Sequence, residues 1–228
     1  MSSFRNTDIL IIGSGLSGLS AALMLPDNLK ITLITKTTLD ECSTSWAQGG
    51  IASVLSNDDK FDIHIEDTLT NGHELNNRDV VEKIIKNGPS MINWLVNQKI
   101  KFSNKNRKLD LTLEGGHSKR RIVHAKDQTG KIIHDSLDKI VRNKKNITVK
   151  ENLQVIDVIC RGNSENKYCI GAYVYDSEIN KVITYSSKKV ILATGGAGKI
   201  YQYTTNPNTS TGDGIAIAWR AGCTISNM

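Results

Sequence analysis

In Asp8-Ile9-Leu10-Ile11-Ile12-Gly13-Ser14-Gly15-Leu16-Ser17-Gly18, a short apolar run leads directly into a glycine-rich loop. An apolar run with this β-branched bias is typical of a parallel strand buried on both faces. After the loop, the pattern predicts a helix from Ser17 to Leu25, ended by Pro26, and a second strand from Lys30 to Ile34. Together these elements predict a compact βαβ unit.

The loop follows the pattern GxGxxG, in which each glycine has a physical role. Gly13 permits a tight turn, Gly15 lets the backbone approach a pyrophosphate, and Gly18 lets the helix pack closely against the strand. The helix N-terminus adds unpaired N–H groups and about half a positive charge. Because a strand precedes the loop and a helix follows it, the pattern favours a dinucleotide site over a purely structural turn.

The end of the second predicted strand helps to distinguish between the common dinucleotides. An NAD site usually carries an acidic residue there, which holds the adenosine ribose. This chain has Thr35-Lys36 at that position. The sequence therefore disfavours an ordinary NAD-dependent dehydrogenase.

Composition limits the classes to which the protein can belong. Its 228 residues are 39% hydrophobic and 23% charged, which is typical of a folded globular protein. No apolar run approaches the roughly 20 residues that cross a bilayer, and the run before Gly13 is too short for a signal peptide, so we expect a cytoplasmic protein without membrane contact. The net charge of +6 comes mainly from scattered lysines, which favours a solvated surface over nucleic-acid binding.

The four cysteines are scattered along the chain, at Cys42, Cys160, Cys169 and Cys223. Their spacing includes no Cys-x-x-Cys pair and no matching histidines. The sequence therefore predicts neither a disulfide framework nor a metal site. All four are expected to be ordinary buried thiols.

Apolar periodicity predicts further helices beyond the βαβ unit. Helical spacing dominates from Phe61 to Gln98, where Gly88-Pro89 is expected to divide a long helix into two. Another helix is predicted from Thr129 to Val141, and a last one from Asp213 to Ala221. The helices therefore follow the βαβ unit in several separate segments.

Strand patterns occupy the second half of the chain, after a polar loop or small hairpin predicted from Ser103 to Arg121. Alternation of apolar and polar residues from Ile147 to Tyr185 predicts a meander of antiparallel strands. Lys189 to Ala193 predicts one more buried strand. The predicted fold class is α/β, with a Rossmann-like parallel sheet plus an antiparallel β-meander.

Four sequence stretches now indicate a family resemblance. Ser43-Thr44-Ser45-Trp46-Ala47-Gln48-Gly49-Gly50-Ile51 follows the second strand, and Ala193-Thr194-Gly195-Gly196 and Thr204-Thr205-Asn206-Pro207 follow in order, before Thr211-Gly212-Asp213-Gly214-Ile215-Ala216. The sequence resembles the flavoprotein group that contains L-aspartate oxidase and the flavin subunits of succinate dehydrogenase and fumarate reductase. The resemblance covers the whole chain and implies that residues 1–228 are the N-terminal portion of an FAD-binding domain, truncated before a capping domain.

The resemblance implies a set of FAD-binding residues, to which the glycine loop and the motif after the second strand contribute most. Asp213 opens the last predicted helix, so it is expected to contact FAD, to cap the helix, or to do both. Ser43 stands where the membrane-associated members carry the histidine that binds flavin covalently, so the FAD is expected to be non-covalent. The implied residues are Gly13, Ser14, Gly15, Leu16, Ser17, Gly18, Lys36, Ser43, Thr44, Ser45, Trp46, Ala47, Gln48, Gly49, Gly50 and Asp213.

Glu114 is the candidate substrate residue. The block Glu114-Gly115-Gly116-His117-Ser118-Lys119-Arg120-Arg121 looks like one found in aspartate oxidases, where the glutamate orients the substrate through its amino group. A carboxylate about 4 Å from an ammonium contributes up to roughly 4 kcal/mol at an effective dielectric near 20. A net of about 1 to 2 kcal/mol after solvation is about ten-fold in selectivity. The alternative for Glu114 is a surface carboxylate paired with Arg120 or Arg121. The basic residues Lys119-Arg120-Arg121 are interpreted as a solvated turn rather than as a group that attracts a dicarboxylate.

The resemblance implies FAD-dependent oxidation of L-aspartate to iminoaspartate, with O2 or fumarate reoxidising the flavin. This is the first step of de novo NAD synthesis and would supply a quinolinate synthase. Members of the group continue into a capping domain, which carries an arginine base, and a helical C-terminal domain; both are absent here, so the chain is expected to be an inactive fragment. Two alternatives stay open, a succinate dehydrogenase or fumarate reductase type of flavoprotein and a non-catalytic FAD-binding remnant.

Overall fold

The computed structural model describes residues 4–73, 75–163 and 165–226. These residues form two compact units. The first unit comprises the described residues through Trp46 together with those from Leu137 to Ser226, and the second comprises those from Ala47 to Ser136. Within the described residues, no helix is both long enough and apolar enough to span a membrane.

Strands and helices alternate along the first part of the chain, and strands dominate the last part. In chain order, the strands are β1 (Phe4–Ile12), β2 (Ile31–Ile34), β3 (Ile51–Ala52), β4 (Asn104–Lys105), β5 (Lys108–Leu109), β6 (Leu111–Thr112), β7 (Ile122–Val123), β8 (Ile147–Lys150), β9 (Leu153–Arg161), β10 (Tyr168–Asp176) and β11 (Lys181–Leu192). The helices are α1 (Leu16–Met24), α2 (Ser43–Trp46), α3 (Phe61–Asn71), α4 (Arg78–Asn97), α5 (Thr129–Asn143) and α6 (Asp213–Arg220), with a 3-10 turn at Gly198–Ile200.

A sheet with the strand order β8-β2-β1-β11-β10-β9 forms the centre of the first unit. β8, β2, β1 and β11 are parallel to their neighbours, whereas β10 pairs antiparallel with both β11 and β9. The predicted α/β class, with a parallel sheet and an antiparallel meander, is therefore confirmed. All four residues of β2 are buried, as the apolar run of a parallel strand requires.

The core of the first unit joins apolar side chains from the parallel and antiparallel parts of the sheet. The buried residues of this cluster are Leu10, Ile12, Ile34, Leu153, Val155, Ala172, Val174, Ile183, Tyr185 and Ile217. They include Ile217 of α6, so that helix is held on the sheet by its apolar side. The cluster therefore connects strands of the parallel part of the sheet with strands of the antiparallel part.

Two details of the predicted strands were wrong. Ile147–Lys150 is not part of the antiparallel meander, because β8 pairs parallel with β2. The two strands predicted on either side of the polar residues Ser186 and Ser187 are one continuous strand, β11. These serines stay extended because β11 pairs on one side with β1, where Ser186 is opposite Asn6 and Ser187 is opposite Thr7.

The second unit contains the long helices α3 and α4 and the short strands β3 to β7. Ile65 of α3 packs with Val81 and Ile85 of α4 in a small core. β3, β7 and β6 form a three-stranded antiparallel sheet, and β4 and β5 form a separate hairpin. The segment from Ser103 to Arg121, predicted as a polar loop or small hairpin, contains the β4–β5 hairpin and strand β6.

The predicted break at Gly88-Pro89 was wrong, because α4 continues through Pro89. Proline removes one backbone hydrogen bond and costs about 3 kcal/mol in a helix interior. α4 buries apolar residues both before and after the proline, including Ile85 and Ile92. Burial of about 1.5 to 3 kcal/mol for each such side chain outweighs the local penalty.

Candidate functional site

A cavity of about 420 Å³ opens at the carboxyl ends of the parallel strands in the first unit. Its walls include the loop Gly13–Ser17 after β1, Thr35 and Lys36 after β2, and Ala193–Gly195 after β11. Open α/β sheets bind their ligands at this edge. The sequence motifs after β1, β2 and β11 are therefore brought together around one cavity.

The three glycines of the loop differ in why they must lack a side chain. A Cβ on Gly13, which has φ +116°, would lie 2.1 Å from the carbonyl oxygen of Ala193. A Cβ on Gly18 would lie 2.0 Å from the carbonyl oxygen of Gly13, so close packing of α1 on the loop requires glycine there. A Cβ on Gly15 would meet only Thr44 Oγ1, at 3.4 Å. The protein's own packing thus requires Gly13 and Gly18, whereas Gly15 leaves its space to a ligand.

The N-terminus of α1 faces the same cavity. Gly15 precedes the helix without a side-chain cap, and the first turn carries no acidic residue. The N–H of Leu16 donates a hydrogen bond of 2.9 Å to Thr44 Oγ1, which leaves the Thr44 hydroxyl hydrogen able to donate to a phosphate. The side chain of Ser14 holds the loop after β1 against the segment after β2, because its Oγ lies 3.0 Å from both Thr35 Oγ1 and the carbonyl oxygen of Leu39. These features fit the pyrophosphate of a dinucleotide.

Lys36 and Asp213 form an ion pair at the cavity wall. Lys36 Nζ donates to Asp213 Oδ2 at 2.8 Å and to Thr211 Oγ1 at 2.6 Å, and Thr211 Oγ1 donates to Asp213 Oδ1 at 2.8 Å. Burial opposes ionisation of Asp213, but the hydrogen bonds from Lys36 and Thr211 outweigh it and hold the pKa of Asp213 below its ordinary value. Gly212, with φ 78°, is the residue that caps α6, so the N-cap alternative for Asp213 was wrong and the carboxylate faces Lys36.

Replacing Lys36 with methionine is expected to lower the free energy of unfolding by about 0.5 to 1 kcal/mol at pH 7. The lowered pKa of Asp213 stabilises the fold above about pH 4, and this contribution is lost as the pH falls through the native pKa. The difference between Lys36→Met and the native chain should therefore shrink at pH 3. Urea unfolding at both pH values measures it.

The control for this prediction is Lys144→Met, which removes an exposed pair with Asp27 (2.8 Å). That change should alter the free energy of unfolding by less than about 0.5 kcal/mol at either pH. A Lys36→Met effect that grows at pH 3 contradicts the prediction.

Several residues of the cavity carry no motif and were missed in the sequence. Leu153, Gln154 and Val155 of β9 line it, because β9 begins just after β8 ends and the Leu153 N–H donates to the carbonyl of Thr35 at 3.0 Å. Ser210 joins the wall from the loop before α6, and its Oγ lies 3.1 Å from Ser43 Oγ. Only the folded sheet brings these residues to the glycine loop.

The remaining residues of the expected FAD-binding set lie elsewhere. Ser45 and Trp46 belong to the first unit but do not line its cavity, and Trp46 is 62% exposed. Ala47 to Gly50 belong to the second unit. A Cβ on Gly50 would lie 2.4 Å from the carbonyl oxygen of Val123, so the pairing of β3 with β7 explains this glycine without a ligand.

Glu114 lines a second cavity, of about 390 Å³, within the second unit. Its carboxylate lies beside Gly49, where an added Cβ would be 3.5 Å from Glu114 Oε2. The lining residues are Gln48, Gly49, Thr112, Glu114, His124, Lys126 and Asp127. His124 Nε2 lies 3.5 Å from Asp110 Oδ2, which gives this histidine a structural neighbour.

A buried arginine supports the turn that carries Glu114. Arg121 is fully buried and donates two hydrogen bonds of 2.8 Å to the carboxylate of Asp59 and one of 2.6 Å to Asp67. Asp67 Oδ2 also accepts from the N–H and the hydroxyl of Ser118, both at 2.9 Å. Burial raises the pKa of Asp67, but the hydrogen bonds from Ser118 and Arg121 lower it by more. The pKa of Asp67 therefore lies below its ordinary value.

The alternative interpretation of Glu114, a surface carboxylate paired with Arg120 or Arg121, is not found in the described part of the chain. Arg121 pairs with Asp59 and Asp67, and the exposed Arg120 donates to the carbonyl of Leu111 at 3.0 Å. The interpretation of the basic block as a solvated turn was therefore wrong for Arg121. A buried arginine requires partners for its charge, and the acidic residues that supply them lie more than fifty positions earlier in the chain.

Two histidines complete this network. The rings of His64 and His117 lie edge to face with centroids 5.5 Å apart. Burial lowers the pKa of His64, and the nearby positive charge of Arg121 adds to the effect. Within the described residues, no cluster of three or more His, Cys, Asp or Glu side chains is placed to hold a metal ion.

Comparisons with known proteins agree with these features. The sequence matches the family described as FAD binding domain over residues 8–228. It is 46% identical to the L-aspartate oxidase of Yersinia pestis over 235 residues, covering 100% of this chain and 44% of that protein. It is 44% identical to L-aspartate oxidase 1 of Ralstonia nicotianae, covering 98% of this chain and 43% of that protein. The chain thus spans less than half the length of these curated relatives.

Among solved structures, an E. coli quinol fumarate reductase has a TM-score of 0.89 at 27% identity, covering 96% of this chain and 37% of the other. The Mycobacterium smegmatis Sdh1 complex in the apo form has a TM-score of 0.88 at 28% identity, covering 96% and 39%. The arrangement of strands and helices is therefore shared with these proteins across nearly the whole chain.

Proposed function

This chain belongs to the family of FAD binding domains, and we propose that it is the flavin-binding portion of an enzyme that oxidises L-aspartate, with FAD bound non-covalently. The observation that carries the proposal is the cavity at the ends of the parallel strands, where Gly15 leaves space beside the N-terminus of α1. Bound FAD would supply the acceptor for a hydride from the substrate. Residues 1–228 would serve as the N-terminal portion of the FAD-binding domain.

The first unit supplies most of the groups that would hold the cofactor. The loop at Gly13–Ser17 and the N-terminus of α1 would hold the pyrophosphate, since backbone N–H groups and the helix dipole both favour negative charge there. Lys36, which stands where NAD sites carry an acidic residue, lies at the cavity wall in an ion pair with Asp213. Ser43 carries a hydroxyl rather than a nucleophilic ring nitrogen, which supports non-covalent binding.

The second unit supplies the candidate substrate group. Glu114 is exposed at the surface of its cavity and is not engaged by Arg121, so its carboxylate is open to an ammonium group. Attraction between these charges would distinguish L-aspartate from succinate, which has the same two carboxylates without the ammonium. The relatives named L-aspartate oxidase support this choice of substrate. The product would be iminoaspartate, with O2 or fumarate accepting the electrons and a quinolinate synthase consuming the product.

A chimera tests the proposal directly. Residues 8–228 replace the matching segment of the Yersinia pestis L-aspartate oxidase, which this chain matches at 46% identity. The purified chimera should carry FAD that acid precipitation releases, and L-aspartate should bleach its flavin absorbance in the absence of oxygen. A chimera that binds FAD but is reduced by no amino acid or dicarboxylate would support a non-catalytic remnant instead.

In this chimera, Glu114→Gln is expected to raise the KM for L-aspartate about ten-fold, because the amide no longer attracts the substrate ammonium by charge. A factor of ten corresponds to about 1.4 kcal/mol of binding energy. The flavin content should not change. The control is Glu178→Gln, which alters an exposed carboxylate in the turn between β10 and β11. An unchanged KM for L-aspartate would remove Glu114 from the substrate site.

A fumarate reductase or succinate dehydrogenase type of activity is the second candidate. The solved structures with TM-scores of 0.89 and 0.88 favour it. The same chimera separates the two candidates, because each predicts a different reductant. Reduction of the flavin by succinate but not by L-aspartate would favour the second candidate.

A further inference from the structure

Two of the four cysteines are brought together by the sheet. Cys160 near the end of β9 lies directly opposite Cys169 near the start of β10 in the antiparallel register. The expectation of four buried thiols was wrong, since Cys42, Cys160 and Cys169 are half-buried and Cys223 is exposed. The sequence offered no sign of this pairing, because the two residues are neighbours only across the hairpin.

The backbone geometry of this pair suits a covalent bond. Directly opposed residues of an antiparallel pair have Cα atoms about 4.5 or 5.5 Å apart, and disulfides join residues whose Cα atoms are about 4.4 to 6.8 Å apart. A register shift between Cys169 and Gly171 interrupts the regular ladder beside the pair. Such a bulge makes the strand locally irregular, so small adjustments at Cys169 disturb few ladder hydrogen bonds.

The two thiols also influence each other in the reduced protein. Burial raises the pKa of the Cys169 thiol, and contact with Cys160 raises it further. Cys169 Sγ lies 3.4 Å from the carbonyl oxygen of Gly171, to which the thiol donates. Both side chains are half-buried at the edge of the sheet, where β9 is the last strand. A small oxidant in solution can therefore reach the pair.

We propose that Cys160 and Cys169 form a dithiol site that hydrogen peroxide oxidises to an intramolecular disulfide. The thiolate of one cysteine attacks a peroxide oxygen and the O–O bond breaks. The departing hydroxide takes up the proton that the thiol released, so one water leaves as a sulfenic acid forms. The second thiol attacks that sulfur, the S–S bond forms, and a second water leaves. Two thiols thus lose two hydrogens and two electrons to one peroxide, which becomes two waters.

The bond would fasten the strand that borders the first cavity. β9 contributes Leu153, Gln154 and Val155 to the cavity wall, and Cys160 lies farther along the same strand. A disulfide to β10 would hold this edge strand against its neighbour. Backbone hydrogen exchange in β9 should accordingly be slower in the oxidised protein than in the reduced one.

Peptide mapping of the 228-residue chain tests the proposal without any assay of activity. The native protein is treated with hydrogen peroxide, its remaining thiols are alkylated, and it is digested with trypsin. Cleavage after Lys150, Arg161, Lys167 and Lys181 leaves Cys160 in peptide 151–161 and Cys169 in peptide 168–181. We expect the loss of two of the four thiols and one cross-linked species of these two peptides, which dithiothreitol separates.

Three controls isolate the role of the fold. Cys160→Ser and Cys169→Ser should each abolish the cross-linked species, whereas the double variant with Cys42→Ser and Cys223→Ser should retain it. Protein oxidised in concentrated guanidinium should give mixed pairs of all four cysteines. Recovery of both peptides separately alkylated from the oxidised native protein would overturn the proposal, and so would a native pattern as mixed as the denatured one. Because peroxide is added, the result does not depend on the proposed substrate.

Discussion

The substitution Gly13→Ala is expected to lower the free energy of unfolding of this chain by about 3 kcal/mol or more, since it combines backbone strain with a steric overlap. The new Cβ would lie 2.1 Å from the carbonyl oxygen and 2.6 Å from the carbonyl carbon of Ala193. Both atoms are backbone at the end of β11, so neither can rotate away. The φ of +116° adds strain that any L side chain would feel.

Two further glycines serve as matched controls. Gly196→Ala introduces a Cβ with no atom within 4 Å, so urea unfolding should differ from that of the native chain by less than about 0.5 kcal/mol. Gly15→Ala should also fold normally, because its Cβ meets only Thr44 Oγ1 at 3.4 Å, but FAD affinity by titration calorimetry should fall about ten-fold or more. A Gly13→Ala protein as stable as Gly196→Ala would refute this account of the loop.

Replacing Arg121 with methionine is expected to lower the free energy of unfolding by about 3 to 5 kcal/mol, the usual cost of leaving a buried carboxylate without its partner. Arg121 and Asp59 have side chains that are 0% and 1% exposed. Methionine fills much of the space but donates no hydrogen bond. Asp59 would lose both of its 2.8 Å hydrogen bonds, and Asp67 would lose one of 2.6 Å.

The neighbouring arginine provides the control. Arg120→Met removes an exposed guanidinium whose hydrogen bond goes to the carbonyl of Leu111, so the expected change is below about 0.5 kcal/mol. The double variant Arg121→Met with Asp59→Leu should recover a large part of the lost stability, because apolar replacement of both partners removes the stranded charge. Urea unfolding of all three variants measures these differences, and an Arg121→Met change as small as that of Arg120→Met would disprove the argument.

The βαβ unit was predictable because every signal for it is local. The apolar run ending at Ile12, the glycine loop and the second strand lie within thirty-five residues, and each follows from the spacing of side chains along the chain. Both ends of α1 and the first residue of β2 differ from the predicted bounds by one residue, and the last residue of β2 is the predicted one. Local pattern and tertiary structure agree here.

The predictions from sequence were wrong where contacts with distant segments determine the local structure. The polar residues at Ser186 and Ser187 suggested a break in a strand, yet pairing with β1 keeps them extended. Pro89 suggested the end of a helix, yet buried residues on both sides keep α4 continuous. Arg121 looked solvated because its partners at Asp59 and Asp67 are not adjacent in sequence. In each case tertiary packing outweighs a local preference.

The candidate site likewise has residues that the sequence indicated and residues that only the fold brings in. Motif and resemblance indicated the glycine loop, Lys36 and Asp213, which line one cavity of the first unit. The contribution of β9 to that cavity has no motif, since any apolar strand could carry Leu153 and Val155. The distinction among the glycines depends on the folded structure: Gly50 is explained by the pairing of β3 with β7, whereas Gly15 leaves open space.

The pairing of β1 with β11 also constrains how the protein can be made. Ile12 at the end of β1 pairs with Leu192, the last residue of β11, so the two halves of this ladder leave the ribosome far apart in time. At about 5 to 20 residues per second, the delay is on the order of 10 to 35 s. During that interval β1 lacks the strand that borders it on one side in the folded sheet, so its apolar run Ile9 to Ile12 has only β2 as a neighbour and is open to aggregation on the other side.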